Sequence, residues 1–276
     1  MSAERTSVGD AVRSIGLPLV IASALSATLG IVVAQFLDNL GDGILAEILG
    51  GDAVLYNNRI EFSGAGDVAG AGGFVLCLGL GLLFLFSYPT QRRHDLSRLT
   101  FLWMTVHLLR QALTEALFVG LDAESQLARA YATFDAPPGL DVIISAAGGV
   151  GLVLVALGAA AAFLGFAPHR SRISTPRRRF MFALWIALVP AAAAVFLALP
   201  FFSPDAGSSV VPALPLTAVM FLITLAAAPG TSSVRGPEEE RTFGWPYGLG
   251  ATMVVLLVVY VVLFRNGVSI DPTQWG

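Results

Sequence analysis

The chain has 276 residues, of which 55% are apolar and 13% charged, with a formal net charge of −3. Ordinary soluble domains carry about 25% charged residues, so this composition excludes a disordered tail protein, a nucleic-acid binder with a basic face and nearly every soluble enzyme. Seven apolar spans of about 21 residues would use most of the apolar residues available, and the chain reads as a single all-α integral membrane domain over 1–276.

The first apolar stretch covers 17–37. Phe36, Leu37, Leu40, Ile44, Leu45 and Ile48 keep helical spacing and extend it towards residue 49, where Gly50-Gly51 stops it. The run Asp38-Asn39 followed by Gly41-Asp42-Gly43 reads equally well as the start of a loop. Arg5 and Arg13 stand before this stretch as in a secretion signal, but the apolar run is too long and no convincing cleavage site follows. Residues 53–63, with Asn57-Asn58 between apolar flanks, predict a short β-hairpin. Further spans are predicted at 68–88, 99–120, 140–166, 180–202, 210–228 and 247–264.

Arginine placement predicts the orientation. With the N-terminus inside, the inner segments hold Arg5, Arg13, Arg92, Arg93, Arg98, Arg170, Arg172, Arg177, Arg178, Arg179, Arg235 and Arg241, and the outer ones only Arg59, Arg129 and Arg265. Twelve against three is a strong positive-inside bias, because arginines in short loops resist translocation. The expectation is seven spans, N-terminus in and C-terminus out, with the hairpin in the first outer loop of a multi-pass protein of the cell (cytoplasmic) membrane. The Arg170–Arg179 loop anchors that orientation and suits anionic lipid headgroups. All 16 basic residues are arginine, so lysine chemistry is excluded. The single Cys77 lies in an apolar run as a packing residue, and no intrachain disulfide is possible.

The third span carries nearly all the polar residues placed where lipid should be: His107, Arg110, Gln111, Thr114 and Glu115. At helical spacing they fall on one face together with Thr100 and Trp103, so that face must look into the bundle. It has three readings. One is a structural network of His107–Gln111 and Gln111–Glu115 pairs, with Arg110 bonded to a neighbouring carboxylate or carbonyl. Another is a proton or ion path. The third is a site where Arg110 holds an anionic headgroup or substrate carboxylate. His107 and Glu115 lie about 12 Å apart along the helix, too far to share a metal.

The stretch Ala34 to Gly51, AQFLDNLGDGILAEILGG, places Asp38 and Asp42 one turn apart on a helix that closes with Gly50-Gly51. It resembles the intramembrane zinc metalloproteases of the site-2 protease type, whose His-Glu-x-x-His helix leads through small apolar residues to Gly-Gly and a β-hairpin. Asp38-Asn39-Leu40-Gly41-Asp42 stands where that motif would be, the hairpin at 53–63 follows in place, and Ala71-Gly72-Gly73 stands where relatives open the next span. The resemblance implies a third metal ligand at Asp122, and it covers about residues 17–125. Both histidines are replaced by aspartate and the catalytic glutamate by Asn39, which cannot act as a general base. Three carboxylates suit a harder divalent ion than zinc, or no ion.

Three functions are therefore expected in competition. The first is a non-catalytic scaffold or accessory subunit, a degenerate pseudoprotease that binds lipid, another membrane protein or a second copy of itself. The second is a proton- or ion-coupled transporter using His107, Arg110 and Glu115. The third is a membrane metalloenzyme with a divalent ion at Asp38, Asp42 and Asp122.

Overall fold

The computed structural model describes residues 16–90, 95–134, 136–202, 214–234 and 236–270. Arg5, Arg13, the Arg92-Arg93-His94 cluster, Arg235 and the predicted onset of the sixth span at 210–213 lie outside the described residues. Among the described residues eight helices and a small sheet follow one another. They are α1 (Leu17–Ile48), β1 (Asp52–Leu55), β2 (Ile60–Ser63), α2 (Gly72–Ser87), α3 (Leu96–Phe118), α4 (Gln126–Ala132), α5 (Leu140–Leu164), α6 (Pro176–Phe202), α7 (Leu214–Ala227), α8 (Tyr247–Phe264) and β3 (Val268–Ser269). A tight turn of helix, Asp67–Ala71, leads into α2.

Among the described residues five helical segments are long and apolar enough to cross a membrane: Leu17–Ile48, Asp67–Ser87, Leu140–Leu164, Pro176–Phe202 and Tyr247–Phe264. The other two predicted spans are helical as well, but α3 carries too many polar residues to qualify, and the helix at Pro215–Gly230 is shorter. Large apolar side chains such as Val142, Ile143, Val150 and Leu154 of α5, and Val254, Val255 and Val258 of α8, face outward. A protein in water would bury such a surface.

The most polar helix is the central one. α3 packs against α1, α2 and α5, and each neighbour reaches it through glycine. A Cβ on Gly30 of α1 would stand 3.0 Å from the Trp103 carbonyl oxygen, one on Gly81 of α2 2.7 Å from Leu109, and one on Gly148 of α5 2.5 Å from the Leu117 amide nitrogen. Where apolar solvent offers no hydrophobic drive between helices, such close backbone approach supplies dispersion contact instead. Trp103 lies fully buried at the centre, its ring centroid 4.8 Å from Phe163, 5.3 Å from Phe221 and 5.5 Å from His107.

α6 illustrates how a local irregularity serves packing. Pro190 has no N–H to give the carbonyl of Ile186, four residues earlier, and its ring crowds that carbonyl, so the helix widens into a π turn at Leu184–Leu188. The Ser23 hydroxyl of α1 donates to the Ile186 carbonyl at 2.6 Å and accepts the indole N–H of Trp103 at 2.8 Å. Three helices are tied at one point.

The hairpin forms with the register Asp52↔Ser63 to Leu55↔Ile60 and the Asn57-Asn58 turn between its strands. β3 adds to the other edge of β1 in antiparallel pairing, giving the order β2-β1-β3. Sequence patterning did not predict this third strand, since two paired residues are too few to show alternation. Nor did it predict α4, a seven-residue helix packed on the Asp67–Ala71 turn.

One expectation at the end of the first span is corrected. α1 runs unbroken to Ile48, so the Asp38–Gly43 segment is helix and not the start of a loop. The extension to residue 49 is thereby accounted for. Gly41 is helical because α2 crosses there: its absent Cβ would lie 2.5 Å from the Gly72 carbonyl oxygen, and one on Gly72 would overlap the Gly41 carbonyl.

Candidate functional site

The polar face of α3 meets α1 and α7 in one buried cluster. Asp38, 5% exposed, receives the Gln111 amide on Oδ2 at 3.0 Å and, more weakly, that of Gln35 at 3.4 Å. Gln111 Nε2 also donates to Glu115 Oε1 at 3.2 Å. Asp38 of α1 and Glu115 of α3 thus accept from the same amide nitrogen. Arg110 closes the cluster, donating from Nη2 to Gln111 Oε1 and from Nη1 to Thr217 Oγ1 of α7, both at 3.0 Å. Gln111 is the hub, because a primary amide both donates and accepts.

Several pairings differ from the sequence reading. Asp38 and Asp42 are both buried, Asp42 at 1% exposure. Asp42 Oδ1 accepts the backbone N–H of Gly73 at 2.7 Å, a contact that the close α1–α2 crossing makes possible. The expected Gln111–Glu115 pair is present, but His107 makes no bond to Gln111. His107 is fully buried, stacked on Trp103, with both ring nitrogens unpartnered. The Thr114 hydroxyl is likewise buried without a partner. Thr100 pairs with Ser26 of α1 at 2.8 Å.

The third acid of the proposed metal set lies elsewhere. Asp122 is exposed in the turn after α3, and its carboxylate accepts the backbone N–H of Glu124 at 3.0 Å. Among the described residues no three His, Cys, Asp or Glu side chains converge where a metal ion could sit. Asp38 and Asp42 take different partners, a side-chain amide on α3 and a backbone N–H on α2. That donor set does not fit a zinc ion held by one helix and a distant aspartate, and no step is derived through a metal.

Sequence reasoning missed Gln35, Ser23 and Thr217. Gln35 lies one turn before Asp38, so helical spacing could have found it. Thr217 and Ser23 carry no signal, since a lone hydroxyl in an apolar helix commonly bonds its own backbone. Cys77 is buried and donates weakly to the Ala34 carbonyl at 3.5 Å, as a packing residue would.

At the opposite end of the bundle, the α5–α6 loop is bonded to the segment after α7. Arg170 pairs with Glu238 at 3.0 Å, the Arg170 N–H donates to the Pro237 carbonyl, and Arg179 donates to the Thr231 carbonyl. Arg178 folds back on Ser171 and Ser174. No protein family, no curated protein and no solved structure matches this chain.

Proposed function

We propose that the chain is a multi-pass protein of the cytoplasmic membrane that couples transport to a proton or cation held at the Asp38–Glu115 pair. The observation that carries this reading is that those two carboxyl groups, one on α1 and one on α3, accept from a single Gln111 amide nitrogen inside the bundle. A carboxyl group away from water is expensive unless it is paired, and such residues mark ion and proton paths in membrane proteins. Gln111 and Arg110 orient the pair from one side, and the Arg110–Thr217 bond links it to α7. Beyond Arg110, His107 lies about 12 Å along α3 from Glu115, and its unpartnered nitrogens suit a relay.

Seven crossings, N-terminus in and C-terminus out, are part of the proposal. The arginine asymmetry supports it. So does the grouping of ends: the hairpin turn Asn57 bonds the Phe201 and Phe264 carbonyls at the last turns of α6 and α8, while Arg179 near the start of α6 bonds Thr231 just past α7. Odd crossings thus finish together, where the hairpin lies. α1, at 32 residues, is about 48 Å long, against about 30 Å of hydrocarbon, which leaves its last turns to carry the sheet above the bilayer. Trp245 and Tyr247, exposed at the start of α8, suit an interfacial aromatic belt at the inner end.

The test is proton movement in liposomes containing the purified protein, driven by an imposed potential and read by an entrapped pH dye. Wild type should carry protons faster than Glu115→Gln and Asp38→Asn, and equal flux in all three refutes the reading. A second reading, an accessory subunit bound to another membrane protein, is favoured by α8, in which only Met253 and Tyr260 are buried. It predicts a copurifying partner and indifference to Glu115→Gln. Proteolysis is not proposed, because Asn39 offers no base.

A further inference from the structure

A second site lies beside the sheet, away from the polar cluster. Phe36 and Leu40 of α1, Leu55 of β1, Leu263 and Phe264 at the end of α8, and Ile270 after β3 enclose a cavity of about 350 Å³ whose walls are almost wholly apolar. Closure is set by the short β1–β3 pairing, Leu55 against Val268, and by Gly43, whose absent Cβ makes room for the Ile270 side chain. The mouth is on the lipid side: Leu263 is 53% exposed and continues the outward apolar row of Val258, Val261 and Val262. Arg265 follows Phe264 directly, is exposed, and has no ion pair among the described residues. An apolar chamber opening on the hydrocarbon beside one unpaired cation at the helix end has the polarity of a phospholipid.

We propose that this cavity seats one acyl chain of a bilayer phospholipid, with its phosphate at Arg265. The occupant comes from the leaflet at the hairpin end, because the cavity lies where α8 ends and the sheet begins. The seated chain replaces the side-chain contact that the two-residue strand β3 is too short to give and holds α8 against α1. The proposal rests on the membrane placement argued above and is independent of the proton site.

The experiment uses full-length protein reconstituted in phosphatidylglycerol vesicles, extracted into detergent, delipidated and weighed by native mass spectrometry. Wild type should retain one phospholipid per chain. Leu263→Trp, which blocks the mouth from an exposed position, and Arg265→Gln, which removes the phosphate partner, should each lower retention about tenfold with unchanged helix content. No retained phospholipid in wild type overturns the proposal, as does retention equal to wild type in either variant, or displacement of the phospholipid by an equimolar free fatty acid. Recovery of wild type in the soluble fraction of cells would instead overturn the membrane placement on which it rests.

Discussion

Ser23→Ala isolates one polar contact that joins three helices at the centre of the bundle. The substitution removes a hydroxyl and almost no volume, so no cavity forms. Two hydrogen bonds are lost together: Trp103 Nε1 loses its acceptor at 2.8 Å, and the Ile186 carbonyl loses a donor that Pro190 cannot replace. Stranding a buried polar group costs about 1–3 kcal/mol in water-soluble proteins, whereas hydrogen bonds inside membrane bundles average about 0.6 kcal/mol each. The fully buried indole sits among Phe163, Phe221 and His107 and donates to Ser23 alone, so a loss of about 1–2 kcal/mol is expected. Cys77 supplies the assay: the only thiol in the chain is buried, so its reaction with a fluorogenic maleimide across a denaturing detergent titration reports unfolding. Thr28→Val is the control, since its hydroxyl only bonds the carbonyl of Ala24 one turn back. If Ser23→Ala and Thr28→Val shift the midpoint equally, the three-helix tie carries no stability and the reasoning is wrong.

Other predictions follow from the same geometry. Gly72→Ala should destabilise by about 1–3 kcal/mol or more, because its Cβ would overlap the Gly41 carbonyl, while Gly79→Ala in the same helix, which meets nothing, should be neutral; the same thiol assay compares them. Glu115→Gln should abolish the infrared absorption of a protonated carboxyl group in the folded protein, and persistence of that band would place the proton elsewhere. Gly267→Ala, at φ 82° and with its Cβ facing Val54 and Tyr56, should detach β3, seen as faster hydrogen exchange at Leu55 and Val268. Asn57→Ala should cost about 1 kcal/mol by freeing the hairpin from the Phe201 carbonyl, with most of the change in exchange confined to residues 52–63.

The sequence alone specifies the helical segments, since long apolar runs ended by proline, glycine or arginine clusters leave backbone groups no partners other than their own. It determined the hairpin, from two apolar flanks around Asn57-Asn58, and it marked α3 as the helix whose polar face must be hidden. All of these are local properties of composition and period. Only the tertiary structure decided what that face meets. Helical spacing placed Gln111 beside Glu115 but could not say that Asp38 of α1 would share the same amide, because that depends on where two helices cross. The crossings are set by glycines 30, 41, 72, 81 and 148, whose lack of a side chain leaves no periodic trace of the surface that will fill the space. The same physics buried Asp42, an apparent loop residue, by offering it the Gly73 N–H. It left His107 without the Gln111 bond that its spacing invited, because stacking on Trp103 against Gly30 holds the ring elsewhere. Side-chain partners within a helix follow from its period, whereas partners between helices follow from backbone approach, which no single segment encodes.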